Sequence, residues 1–268
     1  MRRLPLLVLG LLPFALSACG GSSDPLASAP TIAKSSAPAP VTVETKDLII
    51  GKGPTATANS YVAINYVGAN YATGKVFDSS WINKKPAHLA LASVIPGVRT
   101  GMLGMHVGSR RQIIVPASLG YGATGQKPLV APNETLTFVI DLLSTTKLRP
   151  APTVTGTPGP APTALKITDE TVGTGPKVTS SNTVTVNYAG ANYQTGAIFD
   201  SSWARSTPAQ FMLSGVIPGF KQGLLGMQVG GRRIIVIPSK LGYGSAGQSP
   251  AIKPNEPLVF VVDLININ

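Results

Sequence analysis

The sequence predicts an α+β protein made of two copies of one domain, each an antiparallel β-sheet wrapped around one short α-helix. Three observations carry this reading. Glycine (29) and proline (24) are abundant in a chain of 268 residues, a punctuation density that favours many short strands over long helices. The chain is 43% apolar and only 12% charged, so it can fill cores and lacks the charge of a disordered segment. A long stretch also repeats: of the 83 positions from Tyr61 to Leu143, 46 are identical 122 residues later, with no gap. A period that long marks tandem domains rather than a solenoid.

The elements follow in order from the first copy. Val62-Ala63-Ile64-Asn65-Tyr66 alternates as a strand should. Gly74 marks a turn, and 76–80 continues the sheet. Pro96 starts a short helix over 97–103, with Val98 and Met102 one turn apart and Gly104 placed to end it. Stretches 110–115 and 134–143 read as further strands, separated by a Gly/Pro-rich loop over 120–133. The second copy repeats each element.

The flanks read as addresses and tethers. Met1-Arg2-Arg3 followed by an apolar stretch over 4–16 is an export leader, too short to span about 30 Å of hydrocarbon. Leu16-Ser17-Ala18-Cys19-Gly20 is similar to the bacterial lipobox, in which the cysteine is lipidated, and Cys19 is the chain's single cysteine. The expected layout is a lipoprotein signal peptide over 1–18, a Ser/Ala/Pro-rich tether over 19–40, a first domain over 41–144, a Pro/Thr-rich linker over 145–162 and a second domain over 163–268. Extended, that linker would reach about 55 Å. The protein is expected outside the cytoplasm, lipid-anchored to the cell membrane.

One cysteine forbids an intramolecular disulfide, and two histidines give no basis for a metal site. The net charge of +11 is spread in pairs rather than in a basic stripe, so no nucleic acid is expected. Arg110-Arg111 and Arg232-Arg233 are expected as solvated strand charges, and Lys46-Asp47 as surface scatter.

In each copy the motifs run Tyr-x-Gly (Tyr66, Gly68), Phe77-Asp78-Ser79-Ser80, Val94-Ile95-Pro96-Gly97, Leu119-Gly120-Tyr121-Gly122, Pro132-Asn133-Glu134 and a closing strand with Phe138. In this order, and twice in register, they resemble the FKBP family, the macrolide-binding peptidyl-prolyl cis/trans isomerases. The resemblance implies two FKBP-like domains and an apolar hollow lined in the first copy by Tyr66, Phe77, Val94, Ile95, Val98 and Phe138. In the second copy Tyr188, Phe199, Val216, Ile217, Phe220 and Phe260 take those places. It also implies Asp78 and Tyr121, or Asp200 and Tyr243, as the polar catalytic pair of each site. No cofactor or metal is implied. The implied partners are proline-containing unfolded or exported polypeptides and macrolide ligands, and a monomer is expected. The family's floor tryptophan is Val98 here in one copy and Phe220 in the other, and a wall aromatic is Ala87 or Ala209, which is expected to open one wall in both copies.

The function expected is prolyl cis/trans isomerisation assisting the folding of exported proteins at the outer face of the cytoplasmic membrane. A non-catalytic module that holds proline segments uses the same residues, and a structural surface lipoprotein is a third alternative. Taken without the family, the aromatic and aliphatic residues of the hollow read equally well as ordinary core.

Overall fold

The computed structural model describes residue 24 and residues 26–268. The period-two stretch around Ile64 forms the long central strand β2 (Ser60–Asn70), which follows β1 (Glu44–Ile49). Next come β3 (Val76–Ser79), β4 (Ala87–Ala90), α1 (Pro96–Met102), β5 (Arg110–Val115) and β6 (Leu136–Lys147). The strand order is β1-β5-β6-β2, with β3 and β4 both pairing with β2, and every pairing is antiparallel.

The second copy repeats this as β7 (Lys166–Thr171), β8 (Thr183–Asn192), β9 (Ile198–Ser201), β10 (Ala209–Met212), α2 (Pro218–Leu224), β11 (Arg232–Ile237) and β12 (Leu258–Ile267). Its strand order is β7-β11-β12-β8, with β9 and β10 on β8.

Helix packing explains two glycines of each copy. A Cβ on Gly97 would lie 2.3 Å from Val115 Cγ1, and one on Gly101 2.4 Å from Ile113 Cγ2. These glycines, one turn apart, let the α1 backbone close directly onto β5. Gly219 and Gly223 do the same against Ile237 and Ile235. Val98 and Met102 are buried, as their spacing predicts, and Gly104 ends the helix turn with φ +76°. The core lies between helix and sheet: Val62, Ile64, Leu91, Met102, Ile113, Leu136, Ile140 and Leu142 in the first domain, and their counterparts in the second. Fully burying each such side chain contributes about 1.5–3 kcal/mol.

The arginine pairs correct the expectation of solvated charges. Arg110, 8% exposed, forks onto fully buried Asp141 with bonds of 2.6 and 2.7 Å. Arg111 pairs with Asp47 at 2.5 Å and donates to the carbonyls of Gly101 and Leu103 at the end of α1. Asp47 therefore belongs to the frame of β1 and is not scatter. Arg232–Asp263 and Arg233–Asp169 repeat the arrangement. Adjacent strand residues point to opposite faces, so each pair ties one arginine across the outer face and one to the helix.

The stretches expected as free tethers are docked along their described residues. Arg110 Nη2 donates to the Ser28 carbonyl, and the Ser35 N–H donates to the Tyr71 carbonyl. At the same 122-residue offset, Arg232 Nη2 donates to the Pro150 carbonyl and the Thr157 N–H to the Tyr193 carbonyl. The first strap lies over the outer face of its sheet beside buried Thr137 and Val139, and the second is bonded at the matching positions of a sheet whose Val259, Val261 and Asp263 are buried. Arg149 adds a bond to the Gly230 carbonyl and receives Trp203 Nε1 on its own carbonyl. Proline and alanine suit this role, because they favour an extended path and lose little entropy when it is fixed. The domains also touch, with Asn266 Nδ2 3.2 Å from His88 Nδ1.

Candidate functional site

Each domain has a hollow on the helix side of the sheet, formed where β3, β4 and the start of the helix meet, or their counterparts in the second copy. The first has a volume of about 350 Å³ and is lined by all eight residues expected there: Tyr66, Phe77, Asp78, Val94, Ile95, Val98, Tyr121 and Phe138. The second, about 300 Å³, is lined by Tyr188, Phe199, Asp200, Val216, Ile217, Phe220, Tyr243 and Phe260.

Local sequence positions these groups. In Phe77-Asp78-Ser79-Ser80, alternation turns Phe77 inward, and the Ser80 hydroxyl accepts the Tyr66 N–H at 2.9 Å, locking β3 to β2. Asp78 pairs in register with Gly68, beside a bulge. The glycine of Tyr-x-Gly is required there: a Cβ on Gly68 would lie 2.8 Å from Phe77 Cζ and 2.9 Å from Phe138 Cε1. Those two rings meet edge to face at 5.8 Å. Val94 and Ile95 precede Pro96, and the Ile95 N–H has no backbone acceptor among the described residues. The same holds for Ile217.

Asp78 stands at the lip, exposed on one side and facing the cavity on the other. The Tyr66 hydroxyl donates to its Oδ2 at 2.5 Å. Burial, reinforced by this bond and by the carboxylate charge, pushes the Tyr66 phenol well above its usual range. Tyr121 is likewise raised, by burial first and the Asp78 charge second, so both phenols remain proton donors at neutral pH.

The second lip differs. Tyr188 again donates to Asp200, but Arg205 also pairs with Asp200, donates to the Tyr188 hydroxyl at 3.1 Å and lies 5.9 Å from the Tyr188 ring centroid. Burial opposes ionisation of Asp200, yet the bonds from Tyr188 and Arg205 outweigh it and hold the carboxyl below its usual value. The position matching Arg205 in the first copy is Asn83.

Sequence reasoning missed several lining residues. Leu89 and Phe211 stand two positions beyond Ala87 and Ala209 on the same strand face, and Ile64, Ile140 and Ser93 complete the first cavity. Their signal was the period-two alternation of β4 and β10, whose neighbours were left unassigned. Phe211 corrects the expectation of one opened wall in both copies: it packs 5.5 Å from Tyr188 and 5.9 Å from Phe220, restoring an aromatic wall in the second hollow. The second floor is a continuous aromatic cluster, Phe220 lying 5.0 Å from Phe260 and 6.4 Å from Tyr188. In the first, Val98 and Leu89 leave the space aliphatic. Arg205 was also missed. Its five-residue spacing from Asp200 becomes a signal only once the loop is seen to fold back on the strand.

An apolar hollow with a phenol-held carboxylate at its rim can bind an apolar ring and present donors to a carbonyl. Among the described residues it holds no nucleophile positioned beside a general base.

Both halves of the chain are similar to known proteins. The model of the FKBP-type peptidyl-prolyl cis-trans isomerase family matches residues 53–143 and again 175–265. An FK506-binding protein of Streptomyces anulatus is 46% identical over 112 residues, covering 41% of this chain and 90% of that protein. The peptidyl-prolyl cis-trans isomerase FKBP10 of Mus musculus is 35% identical over 216 residues, covering 78% of this chain but only 34% of its own length. Among solved structures, FkpA from Escherichia coli is 42% identical with a TM-score of 0.38, covering 40% of this chain and 49% of that one. With two family matches over most of its length and a lipped apolar hollow in each, the chain belongs to the FKBP-type peptidyl-prolyl cis-trans isomerase family as a tandem member.

Proposed function

We propose that both hollows accelerate cis/trans rotation about X–Pro bonds in exported polypeptides, from a lipid anchor at Cys19 on the outer face of the cytoplasmic membrane. The single observation that carries the catalytic part is the twice-built apolar cavity with the Tyr–Asp pair at its rim.

Rotation about the X–Pro bond must cross about 18–20 kcal/mol, because twisting breaks amide resonance. No acid, base or nucleophile is needed. The twisted amide has less charge separation than the planar one, so a water-poor cavity favours it, an effect of solvent substitution. The prolyl ring sits against Val98 or Phe220, and the Ile95 or Ile217 N–H and the Tyr121 or Tyr243 hydroxyl donate to substrate carbonyls. About 4 kcal/mol of preferential transition-state binding corresponds to roughly a thousandfold. Uncatalysed isomerisation takes tens of seconds and can limit folding, which is the step such an enzyme would relieve. The chemistry of the cavity also suits macrolide ligands of the kind the family binds.

The test is a proline-limited refolding assay with the full chain. Acceleration that is lost in the double variant Asp78→Ala/Asp200→Ala is the expected result. Binding of proline peptides without acceleration would instead select a holding module, a reading that Val98 and Leu89 favour for the first hollow alone. Cys19 lies outside the described residues. Its lipidation is tested by fatty-acid labelling, which must vanish in Cys19→Ser.

A further inference from the structure

We propose that the two hollows read charge differently, the first selecting prolyl segments with a lysine or arginine beside the proline, because Asn83 leaves Asp78 without the arginine that occupies Asp200. The proposal rests on both hollows being prolyl-binding sites.

The loops that carry these positions share one backbone conformation. Lys84 and Ser206, the residues that follow Asn83 and Arg205, both adopt positive φ, 49° and 53°. The difference is therefore in the side chain and not in the loop path. In the second copy the guanidinium is spent on Asp200 and on the Tyr188 hydroxyl. An approaching cation meets a carboxylate already neutralised. In the first copy Asp78 has a neutral phenol as its partner, and no ion pair to it exists among the described residues.

The two lysines next in sequence do not substitute for an arginine. Lys84 and Lys85 line a separate groove with Asn65, Ser80, Trp81 and Pro86, and Lys85 acts on His88. Neither lines the hollow. Asp78 is thus an uncompensated negative charge at the rim of an apolar cavity, within reach of a long cationic side chain flanking a bound proline. Because the carboxylate is exposed, the attraction is modest and screened by salt: an exposed pair amounts to about a two- to fivefold preference at low ionic strength.

The experiment uses the full chain and short peptides that differ only in a Lys, Gln or Glu beside the proline. Both isomerisation kcat/KM and Kd are measured at low and high salt. The wild type should prefer Lys over Glu by about two- to fivefold, diluted by the indifferent second site, and the preference should fall with salt. Asn83→Arg should bring the ratio close to one. Asp78→Asn, which keeps the shape and removes the charge, should do the same. Arg205→Asn should raise the ratio by freeing the second carboxylate. A wild-type ratio of one, or a ratio unmoved by both Asn83→Arg and Asp78→Asn, overturns the proposal while leaving isomerisation intact. A Lys preference in Kd without turnover sinks the isomerase reading alone, and a chain that neither binds nor turns over any peptide sinks both.

Discussion

The two hollows are built on the same frame and finished differently. Each has an Arg–Asp fork across the outer face, buried in the first copy and part-buried in the second, a pair of helix glycines against the sheet and a Tyr–Asp pair at the rim. Among their differences, three change the character of the site: Val98 against Phe220 on the floor, Leu89 against Phe211 on the wall, and Asn83 against Arg205 at the lip. The frame is where substitution is costly, since a packed interior and a buried ion pair tolerate little change. Floor, wall and lip border open space, so the copies could diverge there without unfolding. The expected consequence is one robust scaffold with two specificities, the aromatic second hollow being the stronger catalyst.

The largest expected effect tests whether the frames are equal. Asp141→Ala strands Arg110 in the interior, and Asp263→Ala strands Arg232 together with Arg149. The first should cost about 3–5 kcal/mol in denaturant unfolding of its domain, and the second, whose fork is part-buried, somewhat less. A cost confined to one domain would break the comparison at its root.

A smaller loss probes the ring packing that both share. Gly190→Ala puts a methyl 2.6 Å from Phe260 Cε1 and 2.7 Å from Phe199 Cζ. It and Gly68→Ala should each cost about 1–3 kcal/mol in thermal or denaturant unfolding, with reduced peptide affinity.

The floor sharpens the comparison further. Phe220→Val should lower kcat/KM of the full chain on a neutral proline peptide by about tenfold at the second site, equivalent to about 1.4 kcal/mol, and Val98→Phe should raise the first. A faster Phe220→Val chain would refute the ranking of the two sites.

The smallest effect is at the lip. Arg205→Asn should move the Asp200 titration upward, measurable by carboxyl NMR. The sign follows from the depressed native value of Asp200 relative to 3.8. The Arg205–Asp200 pair adds stability above that unfolded value and loses it as pH falls through the native one. Without Arg205 that acid loss begins at higher pH.

Much of this was legible in the chain. The alternation around Ile64, Pro96 opening a short helix and Gly104 closing it all act locally, and the structure has them in place. All sixteen hollow residues expected from the motifs line the two cavities. What escaped was non-local. Arg110 finds Asp141 only because β5 pairs with β6, and Asp47 finds Arg111 only because β1 adds to the other edge. The straps were misread as free because their composition lacks core-forming residues. Yet Ala29-Pro30-Thr31 and Pro38-Ala39-Pro40 recur as Ala151-Pro152-Thr153 and Pro160-Ala161-Pro162 at the same 122-residue offset. A segment that repeats with its domain belongs to it.

By itself, then, the sequence determined the duplication, the strand and helix positions and the identity of the residues around each hollow, because periodicity, turn chemistry and motif order are properties of neighbours along the chain. Only the tertiary structure decided which charges are buried and paired, that the Pro/Ala straps cover the sheets, and that one rim carboxylate is neutralised while the other stands alone. Those outcomes depend on side chains brought together across 31 to 82 residues of chain, or across a loop that folds back on itself, and their energies are set by the solvent excluded when the pieces meet.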